Sequence, residues 1–359
     1  MINDVCSEFK SGKNIKADSI SESGEYPVYG GNGLRGYTSS YNHEGLYVLI
    51  GRQGALCGNV RSVNGKTYIT EHAIAAAGNE KSNTSFLHYL FIKMNLGQYS
   101  DQSAQPGLAV NKLLKLKVLL PPISEQKKIA KLFSLLDERI ATQNKVIDRL
   151  QSLIKGLNDS LYAQYGGKVL TSFAELGTSY SGLSGKSAQD FGSGKPFITY
   201  LNVYSNNVIN ENEFQYVAIK DDEKQNVAEY GDVLFTLSSE TPREVGIGSV
   251  YLGKEKVYLN SFCFGIHITN TKVAFSPYLS YYVSSTPFRK FVYPYAQGST
   301  RFNLCKADFE KASIKLPTLE NQKRIYSILS HIDSKIETEI QMLNLYNSQK
   351  QYLLRQMFI

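Results

Sequence analysis

Three stretches of this 359-residue chain carry residue types that do chemistry, and their spacing decides which chemistry. Gly182-Leu183-Ser184-Gly185-Lys186-Ser187 ends as a phosphate-cradling loop ends. That loop also needs a glycine five positions before Gly185, and Tyr180 stands there, so nucleotide binding is not expected. His72 beside Glu71 could pair a base with a carboxylate, but no nucleophile accompanies them and a structural role is the plainer reading. No Asn-Pro-Pro-Tyr or Asp-Pro-Pro-Tyr of the adenine-methylating type occurs, nor a pair of histidines at zinc-binding helix spacing. Gly51-Arg52-Gln53-Gly54 is a recognition pattern instead. An arginine fork fits guanine O6 and N7, a glutamine fits adenine, and flanking glycines let backbone come close. A solvated loop arginine or a phosphate clamp is the alternative. Asn32, in Gly30-Gly31-Asn32-Gly33, can read an adenine or simply supply positive φ.

Composition is that of ordinary globular cores, 42% apolar with length for two domains. The net charge of +7 is spread along the chain with no basic tail, so nucleic-acid binding would need positive charge placed locally on a folded surface. Cys6, Cys57, Cys263 and Cys305 are scattered, which fits a reduced, cytoplasmic protein better than a disulfide or zinc framework. The N-terminus lacks an apolar signal core and no apolar run is long enough for a bilayer, so no membrane association is expected.

What must position such loops is visible as an internal repeat. Leu120-Pro121-Pro122-Ile123-Ser124-Glu125-Gln126-Lys127-Lys128-Ile129 aligns with Leu316-Pro317-Thr318-Leu319-Glu320-Asn321-Gln322-Lys323-Arg324-Ile325, and the match runs without a gap through Asp137/Asp333 and Leu157/Leu353. Each copy opens on proline and then has none, which suits a helix start. Apolar residues alternate in steps of three and four at Ile129, Phe133, Leu136, Ile140, Ile147, Leu150, Ile154, Leu157 and Leu161, broken by Gln143. The second seam is Ile325, Leu329, Ile332, Ile336, Leu343, Tyr346, Leu353 and Met357, broken by Glu339 and Lys350. Two such seams in one chain predict an antiparallel helix pair; packing of each helix on its own domain, or homodimerisation, is the alternative. Gly166-Gly167 ends the first helix.

The blocks before each helix read as short strands and glycine turns. Gly58-Asn59-Val60 with Tyr68-Ile69-Thr70 corresponds to Gly248-Ser249-Val250 with Tyr258-Leu259-Asn260, and Gln105-Pro106-Gly107 to Gln297-Gly298-Ser299 as approaches to the helices. The expected architecture is α+β. Two homologous β-rich domains, at 1–118 and 167–314, are separated by spacer helices at 119–166 and 315–359 in a pseudo-two-fold arrangement.

The doubled Leu-Pro-Pro-Ile-Ser-Glu-Gln-Lys-Lys-Ile segment resembles the conserved regions of type I restriction-modification specificity subunits. Tyr29–Gly33 with Ile50–Ala55, and Phe197–Val203 with Gly231–Thr241, resemble two kinds of target-recognition domain, so the likeness covers essentially the whole chain. It implies that each domain reads half of a bipartite double-stranded DNA site and that the helices set the spacing and dock two methyltransferase subunits. It further implies that restriction and translocase subunits join the full complex. S-adenosylmethionine, ATP and Mg would then belong to partners, with no cofactor or metal and no catalysis here. A stand-alone nuclease or methyltransferase, or a scaffold without DNA binding, are the rivals. Candidate DNA contacts are Asn32, Arg35, Arg52 and Gln53 in the first domain. In the second they are Lys186, Lys195, Thr199, Asn202, Ser238, Ser239, Thr241, Arg243 and Arg301, small hydroxyls suiting phosphates and base edges and the cations suiting phosphates.

Overall fold

The computed structural model describes residues 1–101 and 106–358. It divides into two compact units, Met1–Lys145 with Ile340–Ile359, and Val146–Glu339.

The first unit holds strands β1 (Cys6–Ser11), β2 (Tyr26–Gly30), β3 (Gly33–Thr38), β4 (His43–Glu44), β5 (Tyr47–Gly51), β6 (Val60–Val63), β7 (Lys66–Ile69) and β8 (Ala73–Gly78). Helices α1 (Thr84–Met94) and α2 (Val110–Leu114) follow, and then the long helix α3 (Ile123–Tyr165), whose second half enters the other unit. The second unit continues with β9 (Val169–Thr171), α4 (Phe173–Leu176), β10 (Gly177–Ser181), β11 (Phe191–Ile198), α5 (Tyr200–Ser205) and β12 (Gln215–Val217). Next come β13 (Val233–Thr236), β14 (Ser238–Ser239), β15 (Gly248–Val250), β16 (Tyr258–Leu259), β17 (Cys263–Ile268), α6 (Ser276–Tyr282) and α7 (Thr286–Val292). The chain ends with β18 (Ala296–Gln297), β19 (Phe302–Leu304), α8 (Lys306–Lys311), β20 (Ile314–Leu316) and the long helix α9 (Leu319–Met357).

The two halves share a plan. Sheet order β1-β8-β5-β6 in one matches β10-β17-β13-β15 in the other. A second sheet, β3-β2-β7-β4, matches β12-β11-β16, and its central pair is parallel in both, β2 with β7 and β11 with β16. The sequence correspondence of Gly58–Thr70 with Gly248–Asn260 is thus a correspondence of strands. Gln105 lies outside the described residues.

All the apolar seam positions expected from the heptads are buried or half-buried. Within the first unit the helices run antiparallel: α3 residues Phe133, Asp137 and Arg139 meet Phe358, just past the end of α9, and Lys350 and Tyr346 of α9 in falling order. The break at Lys350 is filled by its bond to Asp137. In the second unit Leu161 shares a core with Ile325 and Leu329, with Ile154 and Leu157 packed against it, and Arg324 lies 5.5 Å over the Tyr165 ring.

Polar residues of the repeat fix each helix start to its domain. Gln126 is 1% exposed, and its Nε2 donates to Lys81 O at 2.9 Å and Pro121 O at 2.8 Å while Asn83 N–H donates to its Oε1 at 2.8 Å. Gln322, fully buried, repeats this: Nε2 donates to Val273 O at 2.7 Å and Pro317 O at 2.9 Å, and Phe275 N–H donates to Oε1 at 2.8 Å. One turn or more further along, Tyr89 and Tyr281 donate to Asp137 and Asp333. Burial raises the Asp333 carboxyl above its usual range, against the pull of the Tyr281 hydroxyl. Replacing Gln126 or Gln322 with Ala leaves three backbone groups without their side-chain partner each time, and removing one partner of a buried hydrogen bond costs about 1–3 kcal/mol. Denaturant titration should therefore show either variant unfolding earlier; an unchanged midpoint would mean the glutamines do not anchor the helices.

Candidate nucleic-acid interface

The loops at the strand ends are set by the same backbone hydrogen bonds in both units. Gly51 N–H donates to Asn59 O, Arg52 N–H to His72 O and Leu108 N–H to Arg52 O, at 2.8, 2.9 and 2.9 Å. Thr236 N–H donates to Ile247 O, Leu237 N–H to Phe262 O and Leu304 N–H to Leu237 O, at 3.0, 2.9 and 2.8 Å. Leu237 therefore occupies the place of Arg52, Ser238 that of Gln53 and Phe262 that of His72. Gly12 and Gly182 hold equivalent close approaches, since a Cβ there would come within 2.2 Å of Ile69 O or 2.0 Å of Asn260 O. Gly182 thus has a packing reason, and the string that mimics a phosphate loop is part of a strand-end turn.

In the first unit, Gly30, Gly31, Asn32, Arg35, Gln53, Gly54 and His72 line a concavity of about 400 Å³. Asn32, Arg35 and Gln53 are all exposed there. His72, set aside as structural, holds Gln53: its Nδ1 lies 3.0 Å from Gln53 Oε1 and its Nε2 3.3 Å from Glu71 Oε1. Arg52 is half-buried and is not among the lining residues. Among the described residues its Nη1 reaches the Glu71 carbonyl, at 3.5 Å, and its buried Nε has no hydrogen-bond partner.

The second unit corrects several expectations. Asn202 is fully buried: Nδ2 donates to Asn210 O at 2.8 Å and Oδ1 accepts from Asn210 N–H at 3.0 Å, so it closes a loop rather than facing a ligand. Thr199 caps α5, accepting from Asn202 N–H at 3.1 Å. Lys186 is not a free cation, because its Nζ donates to Ala218 O at 2.6 Å and Glu223 at 2.5 Å, with its side chain 8% exposed. The Lys186 ammonium, with Gln225, holds the Glu223 carboxyl down to about 2. Ser238 and Ser239 are buried in β14; Ser239 Oγ and Thr241 Oγ1 donate to Glu244 at 3.1 and 2.8 Å. Tyr204 also donates to Glu244, and the three hydroxyls, Tyr204 first, hold its carboxyl below the usual range. Lys195, Arg243 and Arg301 are exposed as expected, and Arg301 lies 5.8 Å over the Phe262 ring.

A residue absent from the sequence reading shapes this region. Arg289 Nη1 donates to Gly246 O at 2.5 Å, and Nη2 to Arg243 O at 2.9 Å and Val245 O at 2.7 Å, so one guanidinium ties down the loop that carries Arg243. Burial lowers its pKa from the ordinary arginine value. An arginine on a short helix gives no sign in sequence that three carbonyls await it.

Comparison with known proteins bears on this geometry. A family model described as "Type I restriction modification DNA specificity domain" matches residues 1–152 and 177–345. The EcoprrI type I restriction enzyme specificity subunit of Escherichia coli is 44% identical over 134 residues, a match spanning 36% of this chain and only 33% of that relative. A crystal structure of a type I restriction-modification S subunit from M. genitalium aligns with a TM-score of 0.63 at 15% identity, over 100% of this chain and 95% of that one. A chain from a study of complex assembly and conformational transition in a type I system aligns at 0.59 and 16% identity, over 99% and 96%. At such identities the structures speak for the fold.

Replacing Arg289 with Lys keeps the charge but offers a point donor in place of a planar fork. Hydrogen exchange should rise in residues 243–246, with stability reduced by about 1–3 kcal/mol; unaltered exchange there would show that the loop holds itself.

Proposed function

Because the chain belongs to the type I restriction-modification DNA specificity family, we propose that it is the subunit that reads a bipartite DNA site, one half with each β-rich domain, and that it performs no catalysis itself. The observation that carries this is one backbone frame used twice with different side chains at its tips: Gln53 and His72 in one unit, Ser238 and Phe262 in the other. A reader of two unlike half-sites needs that combination, since base-edge readout depends on side-chain type while approach depends on backbone. In the first domain Asn32, Arg35 and Gln53 are the readers, with Arg52 behind them; in the second, Thr241, Arg243, Lys195 and Arg301 have the exposure to meet DNA.

The long helices act as the spacer and as the docking face for two methyltransferase subunits, with restriction and translocase subunits joining that assembly. Leu135 of α3 and Leu345 and Tyr352 of α9 stay 48%, 65% and 58% exposed, an apolar supply beyond what the helix pair consumes. Adenine methylation and its S-adenosylmethionine, and ATP with Mg for restriction, belong in this reading to the partners. Among the described residues no group of three His, Cys, Asp or Glu is placed to hold a metal ion, and no helix is long and apolar enough to cross a membrane. The protein acts in the cytoplasm.

Two measurements test this reading. Gln53→Ala should cost about 1–3 kcal/mol of base discrimination, confined to one half-site; methylome sequencing of cells carrying the variant with its methyltransferase would show one relaxed position, and loss in both half-sites would break the modular assignment. Inserting one heptad into both helices, after Lys145 and after Glu339, adds about 10 Å, near three base-pair steps of about 3.4 Å. The unread gap should lengthen by about three pairs with the same bases read; an unchanged gap would refute the spacer.

A further inference from the structure

Lys155, Arg243, Ser284, Thr286, Arg289, Lys290 and Tyr293 line a concavity of about 610 Å³ in the second unit. Four of these seven are cations and none is an acid. Among the described residues none of the four has an ion-pair partner. Arg289 is committed to three carbonyls, but its charge stays in the wall. Lys155, Arg243 and Lys290 are exposed. Two acids flank the wall without lining it: Asp159 accepts from Thr286 N–H at 2.9 Å, and Glu244, next to Arg243, accepts from Tyr204, Thr241 and Ser239. Four cations in one wall against two flanking carboxylates leave it net positive, a setting that favours an anion. Ser284, Thr286 and Tyr293 add hydroxyl donors, the set that phosphate oxygens accept from.

We propose that this hollow binds phosphate of the DNA backbone, so that α3, through Lys155, contacts DNA itself as well as spacing the domains. The inference rests on the DNA-reading function above and extends it to residues outside the strand-end loops. DNA is favoured over a free nucleotide because one wall, Arg243, sits in the loop that follows β14, two residues beyond Thr241. A backbone contact positions the duplex and carries no base information. Its loss weakens all sequences alike. Each neutralised phosphate contributes about 0.9 to the slope of log affinity against log salt.

The test compares the full chain with Lys155→Ala/Lys290→Ala in fluorescence anisotropy, using a duplex bearing the methylome-defined site and a scrambled duplex across a salt series. The expected result is a slope smaller by about 1.8, with equal fold-loss on both duplexes and an unchanged methylation motif. Lys155→Arg/Lys290→Arg should restore the slope, which a purely structural role would not require. An unchanged slope while the wild-type chain binds DNA normally overturns the proposal and leaves the function standing. Failure of the wild-type chain to bind either duplex would instead strike the function. Titration with ATP or inorganic phosphate gives the other source: binding that the double Ala variant abolishes, with DNA affinity intact, assigns the hollow to a free phosphate compound and overturns the backbone contact.

Discussion

A buried glutamine amide at the start of each long helix is the constraint on which the architecture depends. Gln126 and Gln322 each satisfy three backbone groups, two carbonyls and one amide N–H, drawn from the helix's own proline segment and from the loop before a domain helix. An amide suits this because it donates twice and accepts at the same time. A carboxylate could not donate, and an apolar side chain would leave the groups unpaired. With the helix start pinned, Tyr89 or Tyr281 reaches its aspartate along the same helix, and the apolar seam has a fixed phase against the domain.

That constraint explains why the helix segments repeat closely while the blocks between them diverge. The strand frame is held by backbone hydrogen bonds, which are indifferent to side chains. Arg52 and Leu237 make the same pair of main-chain bonds although one is charged and one apolar. Side chains at the tips are free to differ. The exceptions are positions such as Gly12 and Gly182, where backbone approaches so closely that a Cβ has no room.

Legibility in the sequence followed the range of the forces involved. The helices, their seams and their pairing were legible because three- and four-residue spacing is a local pattern, and the strands were legible where glycines and β-branched runs punctuate them. Side-chain direction was not. Asn202 turns inward for Asn210, Lys186 for Glu223 and Ser239 for Glu244, and whether a polar residue finds such a partner is decided by how the loops fold and not by any spacing motif. Arg289 shows the converse, a residue with no motif around it that braces a loop more than forty positions away. Asn32, Arg35 and Gln53 of the first domain are exposed because they sit among glycines with little around them to bury a side chain, whereas Arg52 beside them is half-buried.

The Lys350–Asp137 bond breaks the symmetry of the repeat. The repeat offset pairs Lys350 with Ile154, Tyr346 with Leu150, Leu354 with Asn158 and Phe358 with Tyr162. A pair of two first-half helices would set Ile154 against Asp137. It would also place Asn158 where Leu354 is now 2% exposed. The aspartate would lose its ammonium, while the amide would meet the place of Tyr89, whose counterpart Tyr281 accepts from Asn158 Nδ2 through its backbone carbonyl at 2.8 Å. The two copies have therefore diverged along the seam while keeping its phase: the ammonium that meets Asp137 has no counterpart at Ile154, so the unlike pair of helices carries a contact that a like pair lacks.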